Sequence, residues 1–162
     1  FYAARAGCYE HRLAAAISHG AIWSISELWS NASESHGLAD HIKTVFGASS
    51  MKEALEKSRP FTLEGHLDNM KCPYLIVHGG HDVLGVAQAS KVYDYAKSKG
   101  VKATLRLVSE EETGAEPTVA DADLQLALRE LDLLLDERGD VPTGVGDESP
   151  DGGLVLHRLD RH

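Results

Sequence analysis

The chain is poor in cysteine, in basic charge and in long apolar runs, and each shortage removes a class of function. Its two cysteines, Cys8 and Cys72, are too widely spaced for a metal knuckle and too few for a disulfide scaffold. They read as small buried hydrophobes of a reducing compartment, and a cytoplasmic location is the expectation. Lys and Arg number 16 against 25 Asp and Glu, a net charge of −9. Such a chain repels a phosphate backbone, so no nucleic acid partner is expected. No apolar run approaches the ~20 residues that cross a bilayer, and no membrane association is expected either. Missing too are an initiator Met and a capping residue ahead of the helical pattern that opens at Phe1. A helix is normally announced by Ser, Thr, Asp or Asn, so the sequence is expected to be a fragment that starts inside an element.

What is present is an alternation of helix and strand signals. Residues 1–10 are Ala-rich, and Ala3, Ala4 and Ala6 offer a slim face for close packing. The apolar run Leu13–His19, held between Glu10-His11-Arg12 and Gly20, favours a short buried strand. From Ile22 to Met70 the pattern is helical with no strand signal. Trp23, Ile25, Leu28 and Trp29 recur at helical spacing, and further helical stretches cover 36–46 and 50–58. Ser50 with Glu53 is a capping-box signature, and Pro60 ends that stretch. The run Cys72–Gly79 is apolar throughout, as a strand buried on both faces of a parallel sheet must be. Residues 86–99 form an amphipathic helix closed by Gly100. Val101, Ala103, Leu105 and Leu107 alternate with polar residues, predicting a half-buried strand near a sheet edge. A helix over 119–138 follows, with Leu124, Leu128, Leu131 and Leu135 on its apolar face. Residues 140–162 carry turn residues and no core, and are expected to be a disordered tail. Alternating strands and helices imply an α/β fold with a doubly wound, mainly parallel sheet.

In such a sheet, functional groups stand in the loops beyond the carboxyl ends of the strands. The first of these loops is His78-Gly79-Gly80-His81-Asp82. A carboxylate at that rim can fix the tautomer of a histidine and stabilise the imidazolium formed in acyl transfer, or it can simply cap the helix opening near Gly85. Both readings of Asp82 stand on position alone. The second loop, from Ser109 to Pro117, carries Glu110, Glu111 and Glu112. Three consecutive glutamates read as a solvated turn. His19 and His78 end strands and are expected to satisfy backbone groups, and His36, His41 and His66 are too irregularly spaced for zinc. No metal site is expected.

The strand–His-Gly-x-x-Asp context of Asp82, together with Phe1-Tyr2-Ala3-Ala4-Arg5-Ala6 and Arg12–Gly20, resembles the α/β-hydrolase family. The likeness covers residues 1 to about 116 and points to the branch that includes dihydroxypseudooxynicotine hydrolase, the fungal polyketide-shortening hydrolases and the fermentation-respiration switch esterase. It implies the C-terminal half of the fold, with 1–21 and 71–139 in the hydrolase core and 22–70 as a helical cap. The nucleophilic serine of the Gly-x-Ser-x-Gly elbow would fall a few positions before Phe1. Asp82 would be the acid of the triad, and the position of the histidine, just after Gly114-Ala115-Glu116, holds Pro117. His157 and His162 lie in the tail and are poor substitutes. The chain alone is therefore expected to be silent, while the complete protein would cleave an ester or C–C bond of a small ketone or acyl substrate without a cofactor. Trp23 and Trp29 lie where the insert leaves the sheet, and either contact that substrate or pack in the core. Two rivals stand beside this: a silent binding or dimerisation module, for which a homodimer is the candidate assembly, and a flavodoxin-like binding domain, which would need a longer Gly-rich phosphate loop than Gly79-Gly80.

Overall fold

The computed structural model describes residues 1–80 and 85–109. Helix α1 (Tyr2–Tyr9) leads into strand β1 (Ala16–His19). Three helices follow, α2 (Ile25–Leu28), α3 (Ala39–Phe46) and α4 (Met51–Ser58), and then a 3₁₀ turn at Leu67–Asn69. Strand β2 (Tyr74–Gly79), helix α5 (Val86–Ser98) and strand β3 (Ala103–Val108) complete a βαβ unit. The three strands form one parallel sheet in the order β1-β2-β3, with Ala16 opposite Tyr74 and Tyr74 opposite Ala103.

Every residue of β2 is buried, so a sequence without polar alternation is what its central place requires. One face of the sheet carries Tyr74, Ile76 and Ala103 against Ala4 and Cys8 of α1 and Ala89, Val92 and Ala96 of α5. The opposite face gathers Leu75, Val77 and Val108 with Ile17. Helix α1 approaches β1 closely because position 7 is glycine: a Cβ there would stand 2.9 Å from the Ala16 Cβ and 3.1 Å from the Met70 Cε. The slim face of α1 is thus Ala4, Gly7 and Cys8, whereas Ala3 and Ala6 are exposed, a shift set by the 3.6-residue period once β1 fixes the buried side.

Helix α5 ends as its glycine predicts. Gly100 takes a φ of 77°, and the N–H groups of Gly100 and Val101 donate to the carbonyls of Lys97 and Ala96 at 3.0 Å each, closing a Schellman motif. The alternation expected of the last strand holds only in its first half. Ala103 and Leu105 join the core under α5, but Leu107 is 40% exposed and Val108 is buried on the other face instead. The predicted helix over 119–138 and the tail lie outside the described residues.

Between β1 and β2 the chain builds a second, smaller cluster. Ala39 and Ile42 of α3 pack on Met51 and Ala54 of α4, flanked by Trp29, Ala32, Phe46 and Ala48. The helical stretch expected from Trp23 shrinks to Ile25–Leu28, because Ser24 is extended and, together with Trp23, bonds to the returning chain. Ser24 forms an antiparallel bridge with Thr62, and Leu63 N–H donates to the Trp23 carbonyl at 2.9 Å. The segment therefore contains one strand-like contact where none was expected, a two-chain stem at its root. Ser50 caps α4 by accepting from Glu53 N–H at 3.2 Å, and the Glu53 carboxylate reaches back one residue further than expected, to the Ser49 N–H at 2.8 Å. Among the described residues no helix is long and apolar enough to cross a membrane.

Candidate active site

Parallel pairing sends all three carboxyl strand ends, His19, Gly79 and Val108, to the same rim of the sheet. The ladder continues one step past two of them: Gly20 N–H donates to the Val77 carbonyl and Gly80 N–H to the Val108 carbonyl, each at 2.9 Å. Gly20 turns away at a φ of 72°, a conformation that favours glycine. A side chain at position 80 would crowd the Val108 carbonyl oxygen at 3.3 Å. Tight departures of this kind leave the rim open for the residues that follow.

Asp82, the carboxylate singled out in the sequence, and its neighbour His81 lie outside the described residues, as do Glu110–Glu112, Pro117, His157 and His162. The structure brings the chain to Gly80 on one side and resumes at Gly85, whose φ of 75° opens α5. His78 points into the buried side of the sheet with no exposure, whereas His19 is exposed. Beneath the rim, the Tyr74 hydroxyl donates to Ser18 Oγ at 2.8 Å, and burial holds the phenol well above its ordinary titration range. Cys8 offers no alternative nucleophile: it is fully buried, burial pushes its thiol up to about 11, and the reactive thiolate is suppressed.

Trp23 stands four residues past the end of β1 and is only 4% exposed. Its ring packs on Tyr95 at 4.9 Å, and its backbone N–H donates to Gln88 Oε1 at 2.9 Å. Trp29 lies apart from it, half-buried against the α3–α4 cluster and edge-on to His36 at 5.2 Å. Below α2 and α4 opens a cleft of about 620 Å³, walled by Trp23, Glu27, Leu55, Arg59, Thr62 and Glu64. Trp23 thus serves both core and cleft, and Trp29 is absent from the cleft's walls.

Sequence reasoning missed a cluster beside this cleft. Glu27 of α2 accepts from Lys91 Nζ at 2.6 Å and from Gln88 Nε2 at 3.4 Å, and Lys91 lies over the Trp23 ring at 5.2 Å. Gln88 and Lys91 share a face of α5 by their i, i+3 spacing, but their partner is more than 60 positions away and only the fold reveals it.

No family model and no curated protein sequence matches the chain. Among solved structures, 2,6-dihydroxy-pseudo-oxynicotine hydrolase is similar over 83% of this chain and 36% of its own, at 24% identity and a TM-score of 0.57. The uncomplexed acylaminoacyl peptidase of Pyrococcus horikoshii is similar over 80% of this chain and 21% of its own, at 14% identity and a TM-score of 0.52. Its orthorhombic form gives 16% identity and a TM-score of 0.53. The chain thus spans 36% or less of the length of these solved structures. A parallel β1-β2-β3 sheet crossed by α5, with these structural likenesses, has the architecture of part of an α/β-hydrolase fold.

Proposed function

We propose that the chain supplies the C-terminal half of a serine-type hydrolase, with Asp82 as the acid of its triad. One observation carries this: β2 is the fully buried central strand of a parallel sheet, and Asp82 follows its last residue by three positions, where a triad acid belongs in this fold. Similarity to the two hydrolases supports the same reading. In chain order the serine comes before the acid, so it belongs to sequence ahead of Phe1, on a Gly-x-Ser-x-Gly elbow. That serine attacks an acyl carbon, a histidine oriented by Asp82 takes its proton, and water then releases the acyl-enzyme. The substrate is a small ester or ketone, cleaved at the ester or a C–C bond in a cytoplasmic setting. Residues 22–70 act as the cap over the site, and Trp23 offers it an aromatic wall. No metal or organic cofactor takes part.

Pro117, standing where the family histidine would be, favours a second reading in which the chain is a silent binding or dimerisation module. A control on the chain and a measurement on the extended protein together separate them. The 162 residues alone, offered a p-nitrophenyl ester, are expected to give no turnover above buffer under either reading. The protein extended by its upstream coding sequence and given the missing histidine by Pro117→His is expected to hydrolyse the ester, and Asp82→Asn is expected to lower its kcat by about 10⁴-fold, as loss of the orienting acid does. Turnover in the extended protein that ignores Asp82→Asn removes the acid from the mechanism. No turnover at all favours the silent module.

A further inference from the structure

Residues 24–62 join the rest of the molecule in an unusual way. Their apolar side chains form a separate cluster around Ile42 and Met51. Their root is a two-chain stem, in which Ser24 bridges Thr62, Ile25 N–H donates to the Phe61 carbonyl at 3.0 Å and Leu63 N–H donates to the Trp23 carbonyl at 2.9 Å. Arg5 steadies the stem by donating to the Thr62 carbonyl at 2.9 Å, and Phe1 packs on Phe61 at 6.4 Å. Beyond the stem, the polar side-chain ties to α5 among the described residues run through Glu27, to Lys91 at 2.6 Å and Gln88 at 3.4 Å.

We infer that Glu27 and Lys91 form a releasable latch, which holds residues 24–62 against α5 and lets them swing on the Ser24–Thr62 stem. Three features fit that role. The Glu27 and Lys91 side chains are each 45% exposed, so solvent and salt compete for the pair and keep it weak. Lys91 also lies over the Trp23 ring at 5.2 Å, which couples the ion pair to the residue at the hinge itself. Trp23 and Glu64, outside the moving segment, wall the 620 Å³ cleft together with Glu27, Leu55 and Arg59 inside it. Release of the latch therefore reshapes the cleft along its Trp23 and Glu64 wall without disturbing the sheet. The latch stands whether or not the chain belongs to a hydrolase, because it rests on packing and not on Asp82.

Native-state amide exchange on the full 162-residue chain reads the opening directly. The reporter is the Trp23 amide, whose hydrogen bond crosses to Gln88 of α5, and the reference is the Ile76 amide in the fully buried strand β2. Lys91→Met is expected to speed exchange at Trp23 about two- to five-fold, as loss of an exposed pair allows, with Ile76 unchanged. Glu27→Gln, which preserves shape and removes the charge, is expected to speed Trp23 as well. The two substitutions together are expected to add little beyond either, as members of one interaction do. Trp23 exchange within two-fold of the parent in both variants overturns the latch. So does an equal acceleration at Trp23 and Ile76, which would report global loosening.

Discussion

The sheet with its two helices and the segment at 24–62 are held together by different physics. In the sheet layer, Tyr74, Leu75, Ile76 and Val77 are all 1% exposed or less, and both faces of β2 are covered. In the segment the buried cluster is Ala39, Ile42, Met51 and Ala54, so half of it is alanine. Its remaining order comes from caps and from exposed ion pairs: Lys43 with Glu34 and Asp40, Lys57 with Glu53, Arg59 with Glu56. Exposed pairs contribute little each, and regions with few buried apolar contacts open at lower free energy than the core. A rigid sheet can hold catalytic geometry while an under-packed neighbour adapts to what enters. That division is the structural reason to look for a fixed acid on the rim and a movable wall beside it.

The strongest way to break this contrast is to cut the same amount of side chain from each region. Ile76→Ala in β2 leaves a cavity that the flanking strands cannot close, and is expected to cost about 4 kcal/mol, towards the upper part of the range for such truncations. Ile42→Ala removes the same atoms from a cluster free to collapse, and is expected to cost about 2 kcal/mol, at the lower end of that range. Denaturant melts of the two variants give both values. A larger loss at Ile42 than at Ile76 would invert the comparison. A smaller effect is expected at the α1–β1 contact. Gly7→Ala gains helix propensity of about 1 kcal/mol, but its Cβ must fit 2.9 Å from the Ala16 Cβ, an atom fixed to a strand. Overpacking of this kind costs about 1–3 kcal/mol, so a net loss near 1 kcal/mol is expected in the same melts. A stabilised variant would show that α1 can drift from the sheet, and that this layer is less rigid than its burial suggests.

The legibility of the sequence follows the same line. β2 was readable because burial on both faces leaves the run Tyr74–Val77 without polar alternation, and α5 because Gly100 marks its end. The capping signal at Ser50 located α4 to the residue. The stem was not readable: Trp23 belongs to a series with Ile25, Leu28 and Trp29 that reads as helical, and only the bridge to Thr62, far along the chain, holds Ser24 in extended form. Leu107 misled for a similar reason, since alternation gives the face of a strand but not how far a covering helix reaches. Of the proposed site, the rim was legible from strand order and glycine positions. Asp82 rests on that placement alone, lying outside the described residues. The Glu27–Lys91–Trp23 cluster was invisible, because a contact across more than 60 positions leaves no local trace.

The smallest effect concerns a single carboxylate in the softer region. Glu53 sits in the first turn of α4, paired with Lys57 at 2.8 Å and accepting from the Ser49 N–H and hydroxyl. The Lys57 ammonium, helped by these Ser49 donors, lowers its carboxyl from an ordinary 4.5 to about 2. A carboxyl depressed in the folded state contributes stability that is present above its unfolded value and is lost as pH falls through its folded value. The margin of the parent over Glu53→Gln is therefore expected to be full at pH 6, to shrink below 4.5 and to vanish as pH passes 2. Because the pair is exposed, that margin is small, and the comparison must be made between the two proteins at each pH, since Glu10, Glu34 and Asp68 are also depressed and titrate in both. Thermal melts at half-unit pH steps supply it. A margin that persists undiminished to pH 2 would mean the side chain acts through its shape and hydrogen bonds rather than its charge, and that α4 owes less to surface electrostatics than the contrast with the sheet requires.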